Sequence, residues 1–322
     1  MAETGFAEGV SPGLRQGAGA EPGLRVIASP GFPDYRLLDS GDGRKLERFG
    51  RFTIERPELQ ALWRPVLEPG AWLRADATFK ASNAADEDGD GGRWRRNSAM
   101  PETWPVRVLD VTMLCRLTSF RHLGLFPEQL PHWEWMVGWL QAEPGRRQRV
   151  LNLFAYTGAA SLLGAKAGAE VTHVDASRKA IGWARQNQAV SRLGEAPIRW
   201  ILDDARKFVA REVRRGNRYH MILVDPPKFG RGPNGEEWDV FTHLAPLLRD
   251  CARLLAPGRA ALVLTTYAIR ASAVAMDGLV RECLAGRPGA MESGELAVLE
   301  EAGGRLLPTS LYTRWMSDET TL

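Results

Sequence analysis

The sequence predicts an α/β protein, with a doubly wound, mostly parallel sheet preceded by a smaller β-rich unit. Three observations carry this. From residue 120 onward short apolar runs alternate with helical stretches, the βαβ pattern of a parallel sheet. The connections are short, which suits a sheet with its ligand beyond the C-terminal strand ends. Upstream, turn signals such as Ser40-Gly41-Asp42-Gly43, Glu68-Pro69-Gly70 and Asp88-Gly89-Asp90-Gly91-Gly92 cut the chain into short apolar pieces, and the alternation of Val111, Met113, Cys115 and Leu117 reads as a strand.

The predicted strands of the larger unit are 150–154, 170–174, 198–202, 220–224 and 260–265, with helices near 158–168, 178–191, 204–215 and 240–256. Residues 1–30, rich in Gly, Ala and Pro without apolar periodicity, read as a disordered tail. Residues 31–117 read as the β-rich domain and 118–322 as the one built on the parallel sheet. The acidic residues Asp86, Glu87, Asp88 and Asp90 precede Arg93, Trp94, Arg95 and Arg96, a pattern expected at an exposed hairpin tip. Those arginines are placed to touch phosphates, although a solvated loop explains them as well.

Composition excludes several classes. Hydrophobic residues make up 44% and charged residues 25% of 322, the balance of a globular protein, and no apolar run reaches the roughly 18 residues of a membrane span. The opening Met1-Ala2-Glu3-Thr4-Gly5 lacks a signal-peptide layout, so the cytoplasm is the expected compartment, with no membrane partner. Three cysteines, none in a Cys-x-x-Cys pair, argue against a zinc site, and no metal is expected. A net charge of +3 does not suit a nucleic-acid coat but allows a local basic face. Six of the 42 basic residues are Lys; the Arg bias suits phosphate contact, and codon bias accounts for it equally simply.

The first strand of the large unit runs Val150-Leu151-Asn152-Leu153-Phe154 and turns through Ala155-Tyr156-Thr157-Gly158 into a helix of small residues. Such a turn lets backbone approach a nucleoside closely. Asp175 and Ala176 follow the second strand, where a carboxylate can accept from ribose hydroxyls. Asp203 and Asp204 end the third, where a carboxylate can accept from an adenine amino group. Dinucleotide enzymes need a Gly-x-Gly-x-x-Gly turn against pyrophosphate; this turn has the single Gly158, so a nucleoside ligand without phosphates fits better.

At the tip of the fourth strand stands Asp225-Pro226-Pro227-Lys228-Phe229. Paired prolines fix the backbone and remove two donors, leaving the Asp225 carboxylate and the Pro226 carbonyl as acceptors for an exocyclic amino group, with Phe229 to stack on its ring. Gly230, Arg231, Gly232, Pro233, Asn234 and Gly235 are expected to form a flexible substrate lid.

The segments Leu151-Asn152-Leu153-Phe154-Ala155-Tyr156-Thr157-Gly158, Val174-Asp175-Ala176-Ser177, Asp203-Asp204 and Asp225-Pro226-Pro227-Lys228-Phe229 resemble the class I SAM-dependent methyltransferases that modify large-subunit ribosomal RNA. These include cytosine-5 and guanine-N7 enzymes. The resemblance covers residues 118–322 and implies a Rossmann-like sheet with S-adenosyl-L-methionine (SAM) as cofactor. Gly124-Leu125-Phe126-Pro127-Glu128-Gln129 looks like the segment that closes over SAM there, which adds Phe126 and Gln129 to the cofactor site. Two departures stand out. Residues 1–117 match no RNA-binding module of the cytosine-5 enzymes, and the cysteine those enzymes carry after the fifth strand is absent from Leu264-Thr265-Thr266-Tyr267-Ala268. Cytosine carbon 5 needs a thiolate to activate it, whereas Cys115, Cys251 and Cys283 all fall on apolar faces.

The sequence therefore predicts a methyltransferase acting on ribosomal RNA at a base nitrogen. Asp225, Pro226, Pro227 and Phe229 belong to the acceptor, and Asn152, Phe154, Tyr156, Thr157, Gly158, Asp175, Ala176, Asp203 and Asp204 to SAM. Methylation of a protein or small molecule, cytosine-5 transfer to RNA, and an RNA-binding protein that has lost catalysis remain the alternatives.

Overall fold

The computed structural model describes residues 23–81, 91–267 and 269–317. In chain order, β1 (Arg25–Ser29) is followed by β2 (Tyr35–Gly41), β3 (Arg44–Phe49), β4 (Phe52–Pro57), the short α1 (Pro69–Leu73), β5 (Ala77–Ala81), β6 (Gly92–Arg96), β7 (Trp104–Val108) and β8 (Val111–Cys115). After α2 (Leu130–Gln141) come β9 (Arg149–Leu153), α3 (Ala159–Lys166), β10 (Glu170–Asp175), α4 (Arg178–Val190), β11 (Ile198–Leu202), α5 (Ala205–Arg214) and β12 (Met221–Val224). The chain then forms β13 (Phe229–Arg231), β14 (Glu237–Asp239), α6 (Val240–Leu254), β15 (Ala261–Tyr267), α7 (Ala273–Cys283), β16 (Gly289–Leu299) and β17 (Leu306–Ser317).

Eight strands make one sheet in the order β1-β16-β17-β15-β12-β9-β10-β11. Strands β9, β10, β11, β12 and β15 run parallel, while β17 enters antiparallel to both β15 and β16. The five parallel strands and their helices follow the sequence expectation to within two residues at each end, which is the scatter of helix and strand boundaries. Continuous apolar runs such as Met221-Ile222-Leu223-Val224 give these strands two buried faces, as parallel sheets require. Order reverses between β9 and β12, so the tips of β9, β10, β11 and β12 frame one crevice.

The N-terminal unit is a five-stranded sheet, β2-β3-β4-β5-β6, plus the β7–β8 hairpin. Its β-rich character agrees with the sequence reading. The hairpin is sewn to α4: the Asn187 side chain accepts from Leu114 N at 2.9 Å, and Trp183 Nε1 donates to Leu114 O at 2.8 Å. One apolar cluster runs from Phe49, Ile54 and Val106 through Leu130 and Met136 to Val150 and Val171, so the two units share a core.

Three features differ from expectation. Residues 25–29 are not part of a tail but a strand, parallel to β16 in the large sheet. Five residues are too few for periodicity to show, and the pairing comes from a partner far along the chain. Gly294 makes it possible, because a Cβ there would lie 1.7 Å from the Arg25 carbonyl oxygen. The expected tail otherwise falls on residues 1–22, outside those described, as does the acidic run 86–90; its flanks, β5 and β6, do pair as an antiparallel hairpin. Second, the expected lid at 230–235 is framed by β13 and β14 pairing antiparallel, so it is a hairpin. Third, β16 and β17, preceded by α7, extend the sheet beyond the last predicted strand.

Candidate functional site

The turn from β9 into α3 holds three residues at positive φ: Phe154 (56°), Tyr156 (48°) and Gly158 (88°). Two of them carry side chains in a region that costs roughly 1 kcal/mol or more each. Asp175 helps to hold the turn there. Its Oδ2 accepts from Tyr156 N at 2.8 Å and its Oδ1 from Ser177 N at 2.7 Å, and burial still raises its carboxyl above the ordinary range. Each oxygen keeps a lone pair for a ligand donor. Beneath the turn, Asn152 Nδ2 donates to Ser161 Oγ, which meets His173 Nδ1, both at 3.0 Å. Burial pushes that histidine down to about 3, so the chain is neutral.

Segment 124–129 closes over this turn. Thr157 Oγ1 donates to Gly124 O at 2.6 Å, and Phe126 stacks at 5.5 Å from the Tyr156 ring. Gly124, at φ 101°, lies flat on Trp183, whose ring a Cβ would strike at 2.1 Å. A 3-10 turn at Pro127–Gln129 then aims Gln129 across the crevice, where its Nε2 donates to Asp225 Oδ2 at 3.2 Å.

Asp225 stands past the last residue of β12. Burial first, then the charge of Glu128, pushes its carboxyl up to about 7. The prolines after it are held by Trp238 on β14, whose Nε1 donates to Pro227 O at 2.7 Å. The same indole packs 4.8 Å from the Phe154 ring, so the Asp225–Phe229 loop is braced against the β9–α3 turn. Phe229 is 59% exposed, a free aromatic face at the rim.

Asp203 and Asp204 divide their work. Asp204 caps α5, accepting from Lys207 N at 3.0 Å, and contacts Arg206; a carboxylate engaged this way is a helix cap first. Asp203 is ion-paired with Arg211 and presents more side-chain surface, 16% against 5%. Of the two carboxylates that the sequence offers for an adenine amino group, Asp203 is the one more open to the cleft.

Phe126, Gln129, Phe154, Tyr156, Asp175, Ala176, Asp203, Asp204, Asp225, Pro226, Pro227 and Phe229 all line one cleft of about 480 Å³. Asn152, Thr157 and Gly158 line a recess of about 70 Å³ that shares Phe126, Gln129, Phe154, Tyr156 and Asp225 with it. The structure thus brings every predicted site residue to one place. Its donor set, carboxylates and aromatic rings at the head of a single-glycine turn, fits SAM, which offers ribose hydroxyls, an amino group and no phosphate.

Sequence reasoning missed the far wall. Arg121, His122, Glu128 and Tyr267 line the same cleft, with Lys45, Arg56 and Glu58 of the N-terminal sheet just behind. Arg121 Nη2 donates to Tyr267 Oη at 2.7 Å, and Arg56, paired with Glu47, donates to Arg121 O at 3.1 Å. The signal available was Lys45-x-Glu47 and Arg56-x-Glu58, which put opposite charges on one face of each strand. None of the cysteines lines the cleft: Cys115 and Cys251 are buried with thiols pushed up by burial, and Cys283 is half-buried. Among the described residues there is no group of three or more His, Cys, Asp or Glu that could hold a metal, and no helix long and apolar enough to cross a membrane.

Comparison with known proteins agrees with this site. The profile of the S-adenosylmethionine-dependent methyltransferases matches residues 88–294. A solved SAM-dependent methyltransferase from Agrobacterium tumefaciens is 50% identical, with a TM-score of 0.86 over 91% of this chain and 93% of that one. A Streptococcus mutans structure at 14% identity shares the fold, with a TM-score of 0.66 over 89% of this chain and 76% of that one. Among curated relatives, the ribosomal RNA large subunit methyltransferases K/L of Hahella chejuensis and Pseudoalteromonas atlantica are 35% and 38% identical over 144 residues, 44% of this chain. The matched stretch spans 19% of those relatives' length. A crevice built for a phosphate-free nucleoside, and a relative matching nearly end to end, lead to the same conclusion: the chain belongs to the S-adenosylmethionine-dependent methyltransferases.

Proposed function

We propose that this methyltransferase acts on ribosomal RNA and that the atom methylated is a base nitrogen. The observation that carries the reading is Asp225: a carboxyl raised to about 7, held by Gln129 at a cleft with no thiol among its described lining residues. A proton acceptor suits a nitrogen that must shed a proton, and the lack of a nucleophile disfavours carbon 5 of cytosine. The ribosomal substrate is taken from the names of the curated relatives.

SAM supplies a methyl group already activated by its sulfonium. Asp175 holds the ribose hydroxyls and Asp203 the adenine amino group, while Phe126 and Tyr156 cover the bound nucleoside. Asp225 and the Pro226 carbonyl accept from the N–H groups of the target and fix its lone pair in line with the methyl, and Phe229 stacks on the ring. Asp225 takes up the proton released as the N–C bond forms. The closed segment 124–129 keeps water out.

Mass spectrometry of ribosomal RNA nucleosides from cells with and without the gene tests this. Loss of one N-methylated nucleoside is expected. Loss of 5-methylcytidine, or no change in RNA beside a changed protein or small-molecule product, overturns it.

A further inference from the structure

In the antiparallel β5–β6 hairpin, Lys80 sits directly opposite Arg93, with Thr78 opposite Arg95. Phe79 is buried and packs its ring 5.1 Å from Trp94. Side chains alternate along a strand, so Lys80, Arg93 and Arg95 share the opposite face, where all three are exposed. Like charges directly across a ladder repel and destabilise it. Among the described residues, neither these three nor the exposed Arg96 makes an ion pair or a side-chain hydrogen bond. A ladder that sets cation against cation, with no carboxylate paired to either among the described residues, is suited to an anion from outside.

The hairpin also touches the cleft. Gly91, just before β6 at the loop end of the hairpin, bridges Phe120, and Trp94 Nε1 donates to Phe120 O at 3.1 Å. The next two residues, Arg121 and His122, line the cleft wall. Phe120 itself is 54% exposed, an aromatic face between the cations and the opening. Guanidinium forks binding phosphates beside a ring that stacks on bases are the means by which single-stranded nucleic acid is tracked.

We propose that the outer face of β5–β6, with Lys80, Arg93, Arg95 and Phe120, is the RNA-docking track of this enzyme, gripping the backbone next to the nucleotide held at Asp225. The proposal rests on the RNA reading above. It gives the N-terminal unit a task, which is to deliver substrate while the parallel sheet holds SAM.

The test uses the full chain, a transcript of large-subunit ribosomal RNA and a salt titration of binding. Each lost phosphate contact reduces the slope of log K against log salt by about 0.7–0.9. The variant Lys80→Ala/Arg93→Ala/Arg95→Ala should lose about two units of slope and at least about tenfold in affinity near 0.1 M salt. KM for RNA should rise with it, while SAM affinity and kcat at saturating RNA stay near the parent values. Arg214→Ala/Arg249→Ala/Arg253→Ala, which removes three exposed cations from α5 and α6, should bind as the parent does. Should the triple variant fail to fold, Arg93→Gln/Arg95→Gln repeats the test with about two thirds of the loss in slope. An unchanged slope and KM in a folded variant overturns the docking track alone. If the parent binds and methylates no RNA but methylates a protein or small amine, the RNA reading fails and the track falls with it.

Discussion

Gln129 reaches across the cleft to donate its side-chain amide to Asp225 at 3.2 Å, which joins the segment 124–129 to the tip of β12, where the acceptor is proposed to sit. Asp225→Asn should therefore leave SAM affinity within a few-fold and reduce methyl transfer by about 100-fold or more, the usual loss for a positioned base. Calorimetric SAM titration and turnover in one preparation check this, and unchanged turnover would reduce the Asp-Pro-Pro turn to a structural element.

The raised carboxyl makes a second prediction with a definite sign. Only ionised Asp225 accepts the proton, so the rate should climb with pH and reach half its plateau near 7. Glu128→Gln removes the negative neighbour that helps to raise it, and the midpoint should move to lower pH. Stability runs the other way. Between the unfolded value near 4 and about 7 the folded chain binds the extra proton, so this group's contribution falls as pH rises through that window. Asp225→Asn should raise Tm at pH 8 relative to the parent and leave it nearly equal at pH 4. A pH-independent difference in Tm would count against a buried, raised carboxyl.

SAM should stabilise the protein against heat and NAD should not. Ligand at 100 times its Kd adds about 2.7 kcal/mol to the folded state, a Tm shift of several degrees. Asp175→Ala should remove most of that shift. It should also lower the Tm of the free protein, because Tyr156 N and Ser177 N both lose an acceptor, at about 1–3 kcal/mol for each group left buried and unpaired. Equal shifts with SAM and NAD would defeat the cofactor geometry.

Changing Cys115, Cys251 and Cys283 together to Ala should preserve substantial activity at a temperature where the variant is folded by circular dichroism. Cys115 and Cys251 are fully buried, so a loss on the order of 1 kcal/mol per site is expected from the cavities left. A folded, inactive variant, with a covalent adduct between the parent and 5-fluorocytosine RNA, would point to cytosine-5 chemistry.

The parallel half of the sheet was legible because its strands are uninterrupted apolar runs between amphipathic helices, and the site was legible because its residues sit at those strand tips. What could not be read came from partners distant in sequence. The cap made by Asp204 and the pairing of Asp203 with Arg211 depend on how α5 begins, which one row of letters does not show. The wall of Arg121, Glu128 and Tyr267 is drawn from three separate stretches, brought together only when the two units share a core. Trp238 stood out in no sequence pattern because its use, bracing Pro227, needs a two-strand hairpin of three residues a side, too short to leave one.

The pairing of β1 with β16 makes the beginning of this chain part of its end. Arg25 meets Glu292 across 267 residues, so this margin of the sheet is completed only after nearly the whole polypeptide has left the ribosome. Until then β1 waits with a row of unsatisfied amides and carbonyls, the template on which a second nascent chain pairs. Removing residues 1–30, the cut that composition invites, would instead leave β16 bare permanently. Such a shortened protein is expected to keep its SAM cleft and to aggregate through the bared margin.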